Sequence, residues 1–412
     1  MRNFLVFGGS QLQLPAIQRT QALGMKVVVI DRDPTCIGAK VADYFECVDT
    51  TDFSGAEQVA RHYNVVGSMT MSNDLAVPTS CYVNERLNLP LQGQGLTDLI
   101  TDKYSMRQKY AAHQVNSPRF YQISDSDNLA FIKHQLQSAL KTKSFIVKPN
   151  DSSGSRGVSK MTNIDELDEA VQYAMSFSPS RKVIVEEFID GIELGALTFS
   201  VDGKMVYCFA HNDKVSQMVQ VGHSFPHLFS SDQEIRIQNE CEKALSSLGI
   251  KNGPCLLDII LDSNDIPFII EAGARLSAHK LPDIVKIHSG IDLVTLTVQL
   301  ASGQKVECPS VTKNEAVAVE MLYFNHDGIV EKIGDLSSLV QKYQPIDFAL
   351  RILEKQKITK LKSSQDHYGY VIFTGKNVVE AEKKCTQFIE ECQSLLDIRR
   401  HINEGNVEIQ VL

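Results

Sequence analysis

SFIVKPNDSSGSRGVSK, residues Ser144 to Lys160, is the stretch that decides how the rest of the chain is read. Phe145-Ile146-Val147 is a short apolar run that ends in Lys148-Pro149, and a small-residue loop follows, with Gly154 and Gly157 set around Ser155 and Arg156 before Val158. This is the layout of a strand, a lysine and a hairpin able to cover phosphates. Without Cβ atoms at Gly154 and Gly157, backbone N–H groups approach a triphosphate closely, and Lys148 supplies positive charge. The lysine precedes the glycines, so the G-x-x-x-x-G-K-[ST] order of a P-loop is absent, and a nucleotide here lies under a hairpin instead of on a helix N-terminus. An ordinary flexible β-hairpin has the same composition. The order of other residues along the chain decides between the two.

The chain has 412 residues, which suggests two or three domains. Its composition is that of a globular protein, with 43% hydrophobic and 22% charged residues. A net charge of -9 and the lack of long basic runs argue against nucleic-acid or membrane-surface partners and favour small molecules. The nine cysteines are odd in number, widely spread and without a C-x-x-C pair, as expected of core residues in a reducing compartment. Phe4 to Phe7 is too short for a signal peptide and no later run has membrane-spanning length, so a cytoplasmic location is expected.

Taken in order, apolar strands and amphipathic helices alternate over residues 1–98, the pattern of a doubly wound parallel α/β domain. Gly8-Gly9-Ser10 after the first strand lacks G-x-G-x-x-G spacing and reads as a tight βα turn. Asp31 and Ser72-Asn73-Asp74 read as structural or inter-domain residues. A second domain, 99–310, opens with a helix near Leu96 that carries Thr101-Asp102-Lys103; within it a small α+β lid subdomain spans about 120–188, with a helix expected near Asp127–Leu140. Antiparallel strands then surround the turn Asp202-Gly203, and the apolar runs Cys255–Leu261 and Pro267–Ile270 form a hairpin bearing Asp258 and Glu271. Residues 311–412 read as a closing α+β appendage without a catalytic constellation.

Lys103, Lys148, the glycine-serine loop, Glu186 and Glu193, Asp258 and Glu271-Ala272-Gly273-Ala274-Arg275 stand in the order found in ATP-grasp enzymes, and the chain resembles that superfamily over roughly residues 1 to 310. Specificity lies in the combination. The resemblance implies an ATP-grasp fold: a preATP-grasp α/β domain, a lid, a central antiparallel-sheet domain and the C-terminal appendage. It implies MgATP, or MnATP, as cofactor and a carboxylate–amine ligase, closest to the L-amino-acid ligase and carbamoyl-phosphate-synthetase-like branch, working through an acyl phosphate. Carboxylation of the biotin-carboxylase kind, a purine-pathway ligase, or a nucleotide-binding regulatory protein are the alternatives. A homodimer is a reasonable expectation.

In this reading Lys103 and Lys148 neutralise phosphate oxygens, and Ser153, Gly154, Ser155, Gly157 and Val158 form the lid over them. Glu186, Phe188 and Ile189 belong to the segment that receives adenine, and Glu193 accepts the ribose hydroxyls. Asp258 and Glu271 are the metal ligands. Arg275, with Lys148, is catalytic, clamping the γ-phosphate or acyl phosphate. The family pattern is Glu-x-Asn-x-Arg, and here Gly273 stands in the place of the Asn that adds a magnesium ligand. His211, His223, His227, Ser277 and His279 are candidates for the acceptor pocket, with His223 and His227 in a stretch, VGHSFPHLFS, where the resembling ligases place a loop. Loop-surface histidines are the alternative for those two.

Overall fold

The computed structural model describes residues 2–93, 95–124, 129–139 and 144–400, with 137–139 in backbone only. The first unit is a parallel sheet of four strands in the order Tyr44–Glu46, Lys26–Ile30, Asn3–Phe7, Val65–Thr70. Its two central strands, Lys26–Ile30 and Asn3–Phe7, are buried on both faces, which is why they read as unbroken apolar runs instead of alternating ones. At the end of the first strand Gly8 turns with φ +94°, and Gly9 N–H donates to Asp31 Oδ2 at 2.8 Å. That contact makes Asp31 the fastener of the turn.

The expected helix opening near Leu96 is placed differently. Residues 95–101 form turns, and the helix is Lys103–Ala112, because Asp102 caps it by accepting from Ser105 N–H at 2.7 Å. An antiparallel four-stranded sheet then builds the lid, in the order Phe120–Ser124, Lys182–Glu187, Phe145–Pro149, Ser159–Met161. Helix Leu129–Ala139 packs beside it; Asp127, Asn128 and Leu140, the outer ends of the expected helix, lie outside the described residues.

The central sheet has eight strands. Its first five, Pro267–Gly273, Gly253–Asp262, Gly191–Val201, Lys204–Ser216 and Val219–Phe225, come from the middle of the chain; the other three, Ala316–Leu322, Gly369–Gly375 and Asp347–Leu350, come from residues after 311. The last hundred residues thus continue the same hydrogen-bonded sheet. Val219–Phe225 corrects the expected loop: alternating Val219, Val221, His223 and Phe225 give it strand periodicity, and it pairs on both edges.

Two cores sandwich this sheet. One contains Leu197, Phe199, Leu256, Val317 and Ile372 together with Phe4 and Val29 of the parallel sheet and the helices Leu281–Ser289 and Leu293–Ala301. The other joins Ala196, Ala210, Cys255 and Leu257 to helices Lys103–Ala112 and Ser231–Leu248. Among the described residues no single helix is long and apolar enough to cross a membrane.

Candidate functional site

A cavity of about 720 Å³ lies between the lid, the parallel unit, the central sheet and residues after 350. Its floor is set by strand register. Asp258 stands opposite Glu271 on one side and Gly195 on the other, and Gly195 stands opposite His211, so the two carboxylates share one face of the hairpin.

Lys103 and Lys148 both line the cavity, and each is nearly buried. Lys103 Nζ lies 3.0 Å from Glu271 Oε1 and donates to the Ser152 carbonyl at 2.6 Å. Lys148 Nζ lies 2.6 Å from Glu186 Oε2, and Arg107 Nε lies 2.8 Å from Glu186 Oε1. Glu186 is therefore not a solvated edge-strand residue: at 2% exposed it is the shared counter-ion of two cations. Burial opposes its charge, but Arg107 and Lys148 outweigh that and hold its carboxyl below the usual range. For Lys148, burial wins over the attraction of Glu186 and pulls the ammonium below its ordinary value.

Asp258 behaves in the opposite way. Burial, then the nearby carboxylates Glu271 and Asp213, push it up to about 7, with Arg275 and a 3.3 Å hydrogen bond from Gln220 Nε2 working against the shift. Glu271 sits lower than an ordinary Glu, because Lys103 and Lys148 outweigh its burial. One carboxylate is thus neutralised by lysines and its neighbour has no ion-pair partner among the described residues, an asymmetry that a divalent ion between them would relieve. The pair fits such an ion. At Gly273, where a third ligand would stand, an added Cβ would meet the Arg275 guanidinium at 3.4 Å and Asp74 at 3.5 Å.

Arg275 lines the cavity and is held by Asp74, with Nε at 2.8 Å and Nη2 at 2.7 Å from Oδ1. Its Nη1, buried, has no hydrogen-bond partner among the described residues. Asp74 thus reaches from the end of the parallel sheet to the segment after Pro267–Gly273, and neighbouring Ser72 does the same, its Oγ donating to the Ser277 carbonyl at 3.0 Å.

The lid loop brings Ser153, Gly154, Ser155, Arg156 and Val158 to the cavity. Gly157 does not line it: its φ is +74° and an added Cβ would lie 2.7 Å from Pro149 Cγ, so it shapes the turn. Ser155 Oγ donates to the Met218 carbonyl at 3.0 Å, which ties the lid to the central sheet. Phe188, Ile189 and Glu193 line the opposite wall, with Lys160 Nζ 3.5 Å from the centre of the Phe188 ring. Burial, then Asp213, raises the Glu193 carboxyl.

The histidines divide. His279 and Ser277 line the cavity, whereas His211 and His223 are buried behind Asp213 with Nδ1 atoms 3.0 and 2.6 Å from its Oδ1. Neither is a loop-surface residue. His227 lies away from the cavity, stacked on Phe229 and 3.5 Å from Glu234. His279 and Lys280 both take left-handed backbone angles, φ +53° and +62°, strain of a kind concentrated at functional sites.

Sequence reasoning missed Arg107, Asp213, Gln220 and the wall given by Arg351, Ser364, Gln365, His367 and Tyr370. Arg107 was within reach: it falls four residues after Lys103 on the same helical face. The wall was not, because only the long-range pairing of Gly369–Gly375 with Ala316–Leu322 brings it there.

An ATP-grasp domain family matches residues 100–279. The chain thus carries an ATP-grasp domain over that stretch. A D-alanine–D-alanine ligase of Flavobacterium psychrophilum is 26% identical over 42% of the chain, and the chain spans only half of that relative's length. Among solved structures, an L-amino acid ligase from Bacillus licheniformis superposes with a TM-score of 0.79 at 21% identity, over 97% of this chain and 99% of that one. A phosphoribosylglycinamide synthetase from Anaerococcus prevotii gives 0.75 at 22%, again over 97% and 99%. The ATP-grasp fold expected from the sequence is borne out.

Proposed function

We propose that the protein is an ATP-dependent ligase that joins a small carboxylic acid to an amine, with amino-acid-like substrates, through an acyl phosphate. The observation that carries this reading is the convergence of Lys103, Lys148, Arg275 and the carboxylates Asp258 and Glu271 on one cavity beneath the glycine-serine loop. A bound divalent cation, Mg²⁺ or Mn²⁺, would offset charge on the phosphates and be held by Asp258 and Glu271. Lys103 and Lys148 would neutralise phosphate oxygens at fixed positions, because each is already tethered by a carboxylate. The orphan Nη1 of Arg275 would donate to the transferred phosphoryl or to the acid oxygen. Gly154 and Ser155 would cover the reacting atoms, keeping water from an acyl phosphate that the amine must reach first.

Beside the L-amino acid ligase, the similar structure named as a phosphoribosylglycinamide synthetase makes a purine-pathway acceptor the second reading. The deciding experiment is phosphate release from MgATP across amino acids offered singly and in pairs, with phosphoribosylamine-type acceptors and bicarbonate as further arms, and mass spectrometry of the products. A condensed, dehydrated product from one acid and one amine supports the proposal; stimulation by a ribonucleotide or bicarbonate alone replaces it. Glu271→Gln lowers phosphate release by about 10²–10³-fold. Wild-type turnover in that variant would remove Glu271 from the site.

A further inference from the structure

Three side chains outside the proposed nucleotide machinery converge in the central sheet. His211 and Asp213 alternate on strand Lys204–Ser216 and so share a face, and His223 stands directly opposite Asp213 on Val219–Phe225. Their nitrogen and oxygen donors all lie within 4.8 Å of one another. We propose that His211, Asp213 and His223 form a second cation site, separate from Asp258 and Glu271, that takes a borderline divalent ion such as Zn²⁺, Co²⁺ or Mn²⁺.

The pattern of unmet hydrogen bonds favours a cation over a self-sufficient triad. His211 is 0% and His223 2% exposed. Among the described residues both Nε2 atoms lack a hydrogen-bond partner, and so does His211 Nδ1, although it is only 3.0 Å from Asp213 Oδ1. Its approach lacks the geometry of a hydrogen bond. A buried imidazole that satisfies neither nitrogen is costly, and a metal accepting from one nitrogen removes part of that cost. Only the His223 Nδ1 contact, at 2.6 Å, is a hydrogen bond, while Asp213 Oδ2 accepts from Gln220 Nε2 at 3.0 Å. Donors that share one metal stand roughly 3–3.5 Å apart, given metal–ligand bonds of about 2.1 Å. The Asp213 contacts, at 3.0 and 2.6 Å, therefore need to lengthen by up to about 0.9 Å, and donors as far as 4.8 Å apart need to draw together, for one ion to bind all three.

Donor chemistry selects the ion. Two imidazoles and one carboxylate suit Zn²⁺, Co²⁺ and Mn²⁺, whereas Mg²⁺ prefers oxygen. The site also has an entry path, because Asp213 lines the large cavity. Gly195 makes room: an added Cβ would lie 2.4 Å from His211 Cε1. An ion here would cross-link two strands and set a positive charge beside Glu193, whose carboxyl Asp213 otherwise pushes upward.

The test loads metal-stripped full-length protein with Co²⁺ without nucleotide. One tightly held ion per chain, with visible d–d bands and paramagnetically shifted imidazole N–H protons, is the expected result. That ion persists in the Asp258→Asn/Glu271→Gln double variant and is lost, by tenfold or more in affinity, from His223→Gln and His211→Gln. No retained Co²⁺ in the wild-type chain, binding lost only with Asp258 and Glu271, or a wild-type spectrum without shifted imidazole protons overturns the proposal. The last readout needs no variant to fold.

Discussion

At the scale of single residues, the paired charges around Glu186 make the sharpest claim. Arg107 is fully buried, and its loss leaves Glu186 with Lys148 alone. Breaking a buried pair from one side costs about 3–5 kcal/mol. Arg107→Met is accordingly expected to lose that much at pH 7 in urea unfolding, a change larger than the lost packing explains. Glu186 has its folded pKa depressed, so its contribution is present above the unfolded value near 4.3 and is lost as pH falls through the folded value. The gap between wild type and Arg107→Met therefore holds from pH 7 down to about 4.3 and narrows as pH falls further below that value. A gap that stays constant below that value would assign the loss to packing. What was legible here was chemical type: the sequence pointed to lysines and carboxylates in order, but not to who holds whom. Arg275 illustrates the limit, since its partner Asp74 is 201 positions away and read as a structural residue.

At the scale of elements, the lid hairpin is the part whose sequence and structure agree most closely, because its glycines act locally. Gly154 has φ +69°, a conformation costly for any residue with a Cβ, and that Cβ would sit 2.6 Å from Ser364 Oγ. The lid tip thus rests against the C-terminal wall. Gly154→Ala is expected to raise KM for ATP severalfold and to expose the loop to limited proteolysis, with a thermal midpoint close to wild type because no core cluster includes the loop. Adding Ser364→Ala removes the contact but leaves the strained φ. The double variant should recover part of the affinity, and a strictly additive pair would mean that lid and wall do not touch in solution. Periodicity also gave the strands of the parallel unit and of the Asp258 hairpin, since each is a run of apolar residues between turn signals. Val219–Phe225 is expected as a loop because the resembling ligases place one there, although its alternating Val219, Val221, His223 and Phe225 carry strand periodicity.

At the scale of the whole molecule, the question is whether residues after 310 are an addition or a part of the fold. Sequence reading separated them, for want of motif and because their strand partners are distant. The structure joins them: Val219–Phe225 pairs antiparallel with Ala316–Leu322, and Val317, Val319, Met321, Tyr370 and Ile372 belong to the core that also holds Phe4, Leu197 and Phe199. Removing them would strip these five side chains, at about 1.5–3 kcal/mol each, from the shared core. That sum, roughly 8–15 kcal/mol, matches the entire stability of an ordinary domain. The cut would also leave Val219–Phe225 as a bare sheet edge, open to pairing with another chain. A 1–310 fragment is therefore expected to be insoluble or to elute as aggregate in size exclusion, whereas the same fragment mixed with a separately expressed 311–412 segment should recover soluble material if the two halves find each other. A monomeric, cooperatively melting 1–310 fragment would mean that the first 310 residues close their own core, and that the wall carrying Arg351 and His367 serves the cavity alone.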